Sequence, residues 1–329
     1  MPQILGREVG PTGFGLMGFT WRSNPPPQSQ AFEALRTALS KGMNFWNGGE
    51  FYGTPEYNSL TLLQSYFTQY PEDVDKVVLS IKGCYAHSGV DASAAAVRKS
   101  MDNILSTLTL KKVDVFECGR RDPNVPLSET FSALQEYIDR GQLGGISLSE
   151  VRAETIHEAV KALGGDPSRI AFVENELSLF VTDPLENGVI AACAQYNIPL
   201  VAYSPIGHGI LGGTIKTAAD IPEHLQMMPR YFPEHFEHNL QLFNLVNDLA
   251  KAKGCTPAQL AISWVRSLSQ RREGLPVIIP IPGTTTAARV EENAKQIDLS
   301  DKEMDEIDEI LKKFQPKGER YPDWIPKDT

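Results

Sequence analysis

Long apolar runs are missing from this chain. No stretch approaches the ~20 residues that a membrane-spanning helix needs, so no membrane partner is expected. Basic residues are outnumbered, 31 Lys and Arg against 41 Asp and Glu, for a formal net charge of −10. No basic run interleaves with aromatics, and that balance disfavours nucleic acid or an anionic membrane surface as the main partner. It leaves room for one anionic cofactor. Cysteine is sparse: Cys84, Cys118, Cys193 and Cys255 lie far apart and form no CxxC. Such spacing fits free thiols in a reducing compartment better than a disulfide or zinc framework. The start, MPQILGREVGPTG, has no charged stretch followed by an apolar one. No secretion signal is therefore expected there, and the expected location is cytoplasmic. His87, His208, His235 and His238 have no acid or cysteine at ligand spacing, so no metal site is expected.

What the chain does have is alternation. Its 329 residues are 41% hydrophobic, enough for a sizeable core. Short apolar runs at 13–18, 44–47, 77–81, 113–116, 143–147, 170–174, 199–202 and 277–281 read as strands, each followed by a helical pattern. Ala31, Leu35, Ala38 and Leu39 share one helix face, ended by Gly42. Leu60, Leu63 and Phe67 mark the next helix, then Val97, Met101, Ile104 and Leu108, then Phe131, Leu134 and Ile138, stopped by Gly141. After 202 the pattern becomes long and irregular. It leads to a helix over 239–253, stopped by Gly254, and another opened by Thr256-Pro257. Helical segments continue to about 313, and the proline-rich tail 316–329 reads as irregular. Near-continuous apolar strands belong to parallel buried sheets. Eight β/α units in this length favour a single-domain α/β (β/α)₈ TIM barrel over 1–329. An open doubly wound sheet is the alternative, but no G-x-G-x-x-G joins a strand to a helix.

In such a barrel the chemistry lies at the C-terminal ends of the strands. The polar residues there are Asn47 to Tyr52, Lys82, the run ECGRRD (117–122), Ser147 and Ser149, Glu174 to Glu176, YSPIGHG (203–209) and PGTTTAAR (282–289). The stretch WNGGEFYGTPE (46–56) stands out, because it sets a tyrosine, a weak acid, just after a glycine pair that loosens the backbone.

These stretches, with NFWNGGEFYGTPE, VVLSIKG, GISLSE, VENELSLF, VAYSPIGHGILGG and PIPGTTTAARVEENA in this order, resemble the aldo-keto reductase superfamily over nearly the whole chain. GLMGFTWRSNPPP, and FEC followed by DPNVP, resemble the fungal pyridoxal reductases within it. The resemblance implies NADPH-dependent reduction of a small-molecule aldehyde to an alcohol, most simply pyridoxal to pyridoxine. An aromatic or polyketide aldehyde, or a cofactor-binding regulatory subunit of the same fold, are the alternatives. Oligomeric state is not readable.

The family places a tyrosine, lysine, aspartate and histidine around the reacting carbonyl. Tyr52 and Lys82 match; Asn47 stands at the aspartate position and Gly119 at the histidine position. The resemblance makes Tyr52 the proton donor, its pKa lowered by the Lys82 ammonium. Glu50 is a candidate counter-ion for Lys82; Arg120, Arg121 and Glu117 are neighbours that could compensate for Gly119, either arginine by stabilising an oxyanion. Trp21 and Tyr85 are candidate walls of an aromatic pocket that also includes Tyr52. For the cofactor, Ser147 and Glu174 are expected at the carboxamide and Tyr203 against the nicotinamide. Ser204, Pro205, Ile206 and Gly207 are expected at the pyrophosphate. Gly283, Thr284 and Thr285 are expected at a phosphate, Arg289 at the adenosine 2′-phosphate, and Glu292 and Asn293 at the adenine.

Overall fold

Parallel strands recur along the chain in the order that the apolar runs anticipate. The computed structural model describes residues 1–86 and 89–327. The strands are β1 (Phe14–Gly15), β2 (Phe45–Gly49), β3 (Val78–Gly83), β4 (Val113–Cys118), β5 (Leu143–Ser149), β6 (Ile170–Glu176), β7 (Leu200–Tyr203) and β8 (Ile278–Pro280). Each pairs in parallel with its sequence neighbour. The first and last strands meet: Gly13 donates to the Pro280 carbonyl at 2.9 Å and Gly15 to that of Pro282 at 3.3 Å. Gly15 and Gly283 form a parallel bridge. The sheet is therefore closed into a (β/α)₈ barrel.

Between and after the strands run α1 (Gln28–Ser40), α2 (Ser59–Gln69), α3 (Ala94–Thr107), α4 (Leu127–Asp139), α5 (Ala153–Ala162), α6 (Val189–Gln195), α7 (Pro233–Lys253), α8 (Pro257–Arg271), α9 (Ala287–Ala294) and α10 (Asp301–Lys313). Local signals open them. The Asn58 side chain accepts from Leu60 and Thr61 N–H at the start of α2, and Thr256 accepts from Gln259 N–H ahead of Pro257 in α8. Each bond satisfies a donor that a helix start leaves unpaired. α7 begins at Pro233, six residues before the expected start, because a proline at the first helical turn already holds a helical φ. The expected strand at 13–18 is shorter than its apolar run. Only Phe14 and Gly15 pair, and Met17–Thr20 turn into a short helix.

Two apolar layers result. Helix faces pack on the outside of the sheet around Trp46, Trp264, Leu35 and Phe116. Inside the barrel Phe45, Val78, Val115, Phe172, Val201 and Ile279 form a second cluster. Ile4 and Val9 join it from the N-terminal hairpin of Gln3–Ile4 with Arg7–Glu8. That hairpin closes one end of the barrel, and the polar strand-end residues lie at the other.

Candidate active site

At the C-terminal end of β2 the glycine pair lies inside the strand rather than in a loose connection. A Cβ on Gly49 would stand 3.0 Å from the Tyr52 ring, and one on Gly48 would stand 3.2 Å from Ser59 Cβ. The glycines let the chain fold back so that Tyr52 lies flat on its own strand. Tyr52 N–H donates to the Gly49 carbonyl at 3.2 Å, and Thr20 Oγ1 donates to the Tyr52 carbonyl at 2.6 Å. The ring is stacked on Trp21, with centroids 5.2 Å apart, and meets Phe51 edge-on. Phe51 in turn lies against Tyr85. Trp21, Phe51, Tyr52 and Tyr85 thus make one aromatic wall. Trp21 forms its rim and is 46% exposed.

Below that wall lies a buried polar layer. Lys82 Nζ donates to Glu174 Oε1 at 2.6 Å and to Asn47 Oδ1 at 2.9 Å, and stands 3.4 Å from Glu117 Oε1. Asn47 Nδ2 donates to Glu174 Oε2 at 2.7 Å. Lys82 and Glu117 are direct register partners across β3 and β4, as are Glu117 and Ser147 across β4 and β5. Ser147 Oγ donates to Glu117 Oε2 at 2.7 Å. The Asn47–Glu174 bond crosses the barrel from β2 to β6. All five residues are buried.

The layer's charges follow from this packing. Burial opposes a charge on Lys82, but Glu117 and Glu174 more than offset it and hold its pKa above the ordinary lysine value. Burial and the nearby Glu174 charge push Glu117 up to about 8, so it takes up a proton as pH falls through that value. Tyr52 departs from expectation. Lys82 does pull its pKa down, but burial, Glu174 and Glu117 push it up, and the balance is above the ordinary phenol value. Among the described residues none hydrogen-bonds the Tyr52 hydroxyl.

Glu50 serves another element. Its carboxylate accepts from Ser100 Oγ and from Asn103 Nδ2 on α3, and from Cys84 N–H. Gly119 has its neighbourhood filled: a Cβ there would lie 3.0 Å from Tyr85 Cβ and 3.1 Å from Phe51 Cζ. Arg120 donates to the carbonyls of Pro326 and Gly119 and to Ser149 Oγ, and its charge also reaches Tyr52. Arg121 donates to the Asp122 and Val125 carbonyls and pairs with Glu158, on the far side of its loop. His208 pairs with Glu176, and His238 bonds the Gln315 carbonyl. Among the described residues no group of His, Cys, Asp and Glu is arranged to hold a metal. His87 lies outside the described residues.

The match to known proteins decides the family. The model of the "Aldo/keto reductase family" matches residues 11–312. This chain belongs to the aldo/keto reductase family. It is 39% identical to "Probable pyridoxal reductase 2" of Schizosaccharomyces pombe, over 98% of this chain and 97% of that protein. It is 35% identical to "Putative pyridoxal reductase" of Saccharomyces cerevisiae, over 94% and 95%, and 32% identical to "Probable aldo-keto reductase 1" of Glycine max, over 96% and 89%. As an aldo/keto reductase it is an oxidoreductase of small molecules, from a family that generally uses NAD(P)H. No helix among the described residues is long and apolar enough to cross a membrane.

The residues expected at such a cofactor lie mainly after β7 and β8 of this reductase. After β7 the backbone takes left-handed values at Ser204, Gly207, His208 and Gly209, which turns it tightly around the barrel mouth. After β8, Gly283 packs backbone to backbone, where a Cβ would come within 3.2 Å of the Gly15 carbonyl oxygen. Thr284 and Thr285 follow it and lead into α9, capped by Thr286. A helix start of this kind suits a phosphate. Arg289 is exposed on α9 and holds Glu292 at 2.6 Å, while Asn293 is buried behind them. Ser147 and Glu174 are already bonded within the polar layer, and Tyr203 Oη meets Tyr321 Oη at 2.8 Å.

Tyr321 belongs to a part of the reductase that sequence reasoning read only as an irregular tail. Residues 314–327 form no helix or strand, yet the segment is docked across the mouth. Arg320 pairs with Glu150 at 2.8 Å and Glu176 at 3.1 Å, both buried. Glu117 lies in ECGRRD and Phe51 in WNGGEFYGTPE, neither read there in this role, and Arg320 lies in the tail. The register of β3 on β4 sets Glu117 beside Lys82, and the tail's path brings Arg320 to the mouth.

Proposed function

We propose that the protein is an NADPH-dependent aldehyde reductase whose substrate is pyridoxal. One observation carries the reading: the Tyr52 hydroxyl, within an aromatic wall, has no hydrogen-bond partner among the described residues and feels the charge of a Lys82 ammonium held by Asn47 and Glu174. A bound nicotinamide cofactor would supply the hydride chemistry. Tyr52 then gives its proton to the carbonyl oxygen. Its raised pKa keeps that proton in place at neutral pH, and Lys82 stabilises the phenolate left behind. Trp21, Phe51 and Tyr85 offer flat surfaces to an aromatic ring. The tail covers the mouth and limits water.

Two departures from the family pattern fit this substrate. Phe51 and Tyr85 fill the space in which a histidine at 119 would stand. Pyridoxal has a phenolic hydroxyl beside its aldehyde and so brings its own hydrogen bond to the carbonyl oxygen. Arg289, Thr284 and Thr285 are the residues that would hold the phosphates, with Tyr203 and Ser204 to Gly207 lining the path between. The preference for NADPH over NADH rests on Arg289.

The test is oxidation of NADPH with pyridoxal and a panel of aldehydes. Tyr52→Phe keeps the ring and its packing, so it should fold and bind NADPH. Its kcat should fall by ~10²–10⁴-fold, the usual contribution of a general acid. Tight NADPH binding without turnover of any aldehyde would instead support a regulatory subunit. Full activity in Tyr52→Phe would remove Tyr52 from the mechanism.

A further inference from the structure

The Asn47 side chain faces an ammonium with one end and a carboxylate with the other. Its Oδ1 accepts from Lys82 and its Nδ2 donates to Glu174. Turned over, it would set an NH₂ against Lys82 and an oxygen against Glu174, so the neighbours dictate the orientation. Both oxygens of Glu174 are engaged, one by Lys82 and one by Asn47. The three side chains form a closed triangle between β2, β3 and β6. We propose that Glu174 is the countercharge that keeps Lys82 protonated and fixed in place, and that Asn47 must be an amide because Glu174 is charged. Both are positioning residues that act through Lys82. Their assignment to the reaction rests on the reductase reading above.

The triangle has a defining property: its charge and its amide can be exchanged. A carboxylate at 47 would still accept from Lys82, and an amide at 174 would still donate across the barrel. With Asn47→Asp alone, two carboxylates would meet where a 2.7 Å hydrogen bond now stands. Glu117 already lies 3.4 Å from Lys82, so a third acid would share one cation. The charged and titratable groups bearing on Lys82 are then Glu117 on β4, Glu174 on β6 and Tyr52 after β2.

The experiment compares Asn47→Asp, Glu174→Gln, the exchanged pair Asn47→Asp/Glu174→Gln, and Asn47→Asp/Glu117→Gln. The readouts are the pH profile of kcat with NADPH and pyridoxal, and unfolding in urea without either. Asn47→Asp should lower kcat by about tenfold or more, as a one-unit displacement of the donor pair would, and should destabilise the fold. The exchanged pair should recover most of both and return the pH profile to that of the unaltered protein. Glu117→Gln should rescue less, because Glu117 does not bond Asn47. If Asn47→Asp fails to fold, recovery of folding in the exchanged pair, with less in the Glu117 variant, carries the same result. An exchanged pair no better than Asn47→Asp would overturn the proposal. So would equal rescue by Glu117→Gln, which would mean that only total charge matters. The unfolding arm separates the two readings. Coupling between 47 and 174 in a protein that reduces no aldehyde would uphold the triangle and remove the reductase reading. Turnover of pyridoxal without that coupling would do the reverse.

Discussion

Glu117 is a residue whose importance depends wholly on what stands next to it. It is completely buried, Ser147 bonds one oxygen, and the other has no hydrogen-bond partner. Its pKa is raised from 4.5 to about 8. Between those values the folded protein holds a proton that the unfolded chain releases. Its contribution to stability is therefore full below the lower value and lost as pH rises through about 8. Above that point its charge also pushes the Tyr52 phenol further up. Glu117→Gln mimics the neutral acid. It should flatten the fall of stability with pH across this window and extend activity to higher pH, as read by urea unfolding and by the pH–rate profile. An unaltered fall in both would mean that Glu117 is ionised throughout. Tyr52 and Lys82 were legible in the sequence because each lies in a recognisable stretch at a strand end. Glu117 was legible as a neighbour that could compensate for Gly119, but not as a partner of Lys82, which depends on strand register. Glu174 was legible as a strand-end acid but not as the partner of a lysine on another strand.

At the scale of the element, β2 and the start of the β4–α4 loop explain each other. The glycine pair of β2 lets Tyr52 lie on Gly49, and the chain just before it carries Phe51 into the space above Gly119. A histidine at 119 has no room while Phe51 and Tyr85 stand there. Gly119→His alone should thus destabilise the protein, by about 1–3 kcal/mol as overpacked sites do, and reduce activity. Gly119→His with Phe51→Ala should recover part of the stability. It should also narrow the gap in kcat/KM between pyridoxal and an analogue whose phenolic hydroxyl is methylated, because the histidine can now supply the missing donor. A gap that stays as wide in the double variant would show that the substrate hydroxyl plays no such part. Every barrel strand was legible as an apolar run, because parallel strands are buried on both faces. The use of Gly48 and Gly49 within a strand was not, since a glycine pair reads equally as a turn. The run at 13–18 misled for a related reason: its apolar residues pack from a helical turn as well as from a strand.

At the scale of the whole molecule, closure joins what the sequence keeps apart. Asn47 and Glu174 bond across the barrel, and the tail returns to lay Arg320 between Glu150 and Glu176. Neither relation has a local signature, so a chain read by period and motif yields the barrel but not its cross-bracing. The tail anchor has a predictable pH signature. Burial opposes the charge on Glu176, but His208 and Arg320 hold its pKa below the ordinary glutamate value. A group lowered in this way stabilises the fold above its unfolded pKa and loses that contribution as pH falls through the folded one. Arg320→Met keeps much of the side-chain volume and removes the cation. Two buried acids then lose an ionic partner, and breaking such a pair costs about 3–5 kcal/mol. The pKa of Glu176 should rise in the variant, so its defect relative to the unaltered protein should be largest at neutral pH. It should shrink toward about pH 4, where carboxylates take up protons. Urea unfolding at several pH values measures the defect, and limited proteolysis of the tail reports whether the segment has come away. A defect equally large at both ends of the range would assign the loss to packing around the arginine stem. A tail that stays protected in the variant would place the anchor in Tyr321 and Arg120 instead.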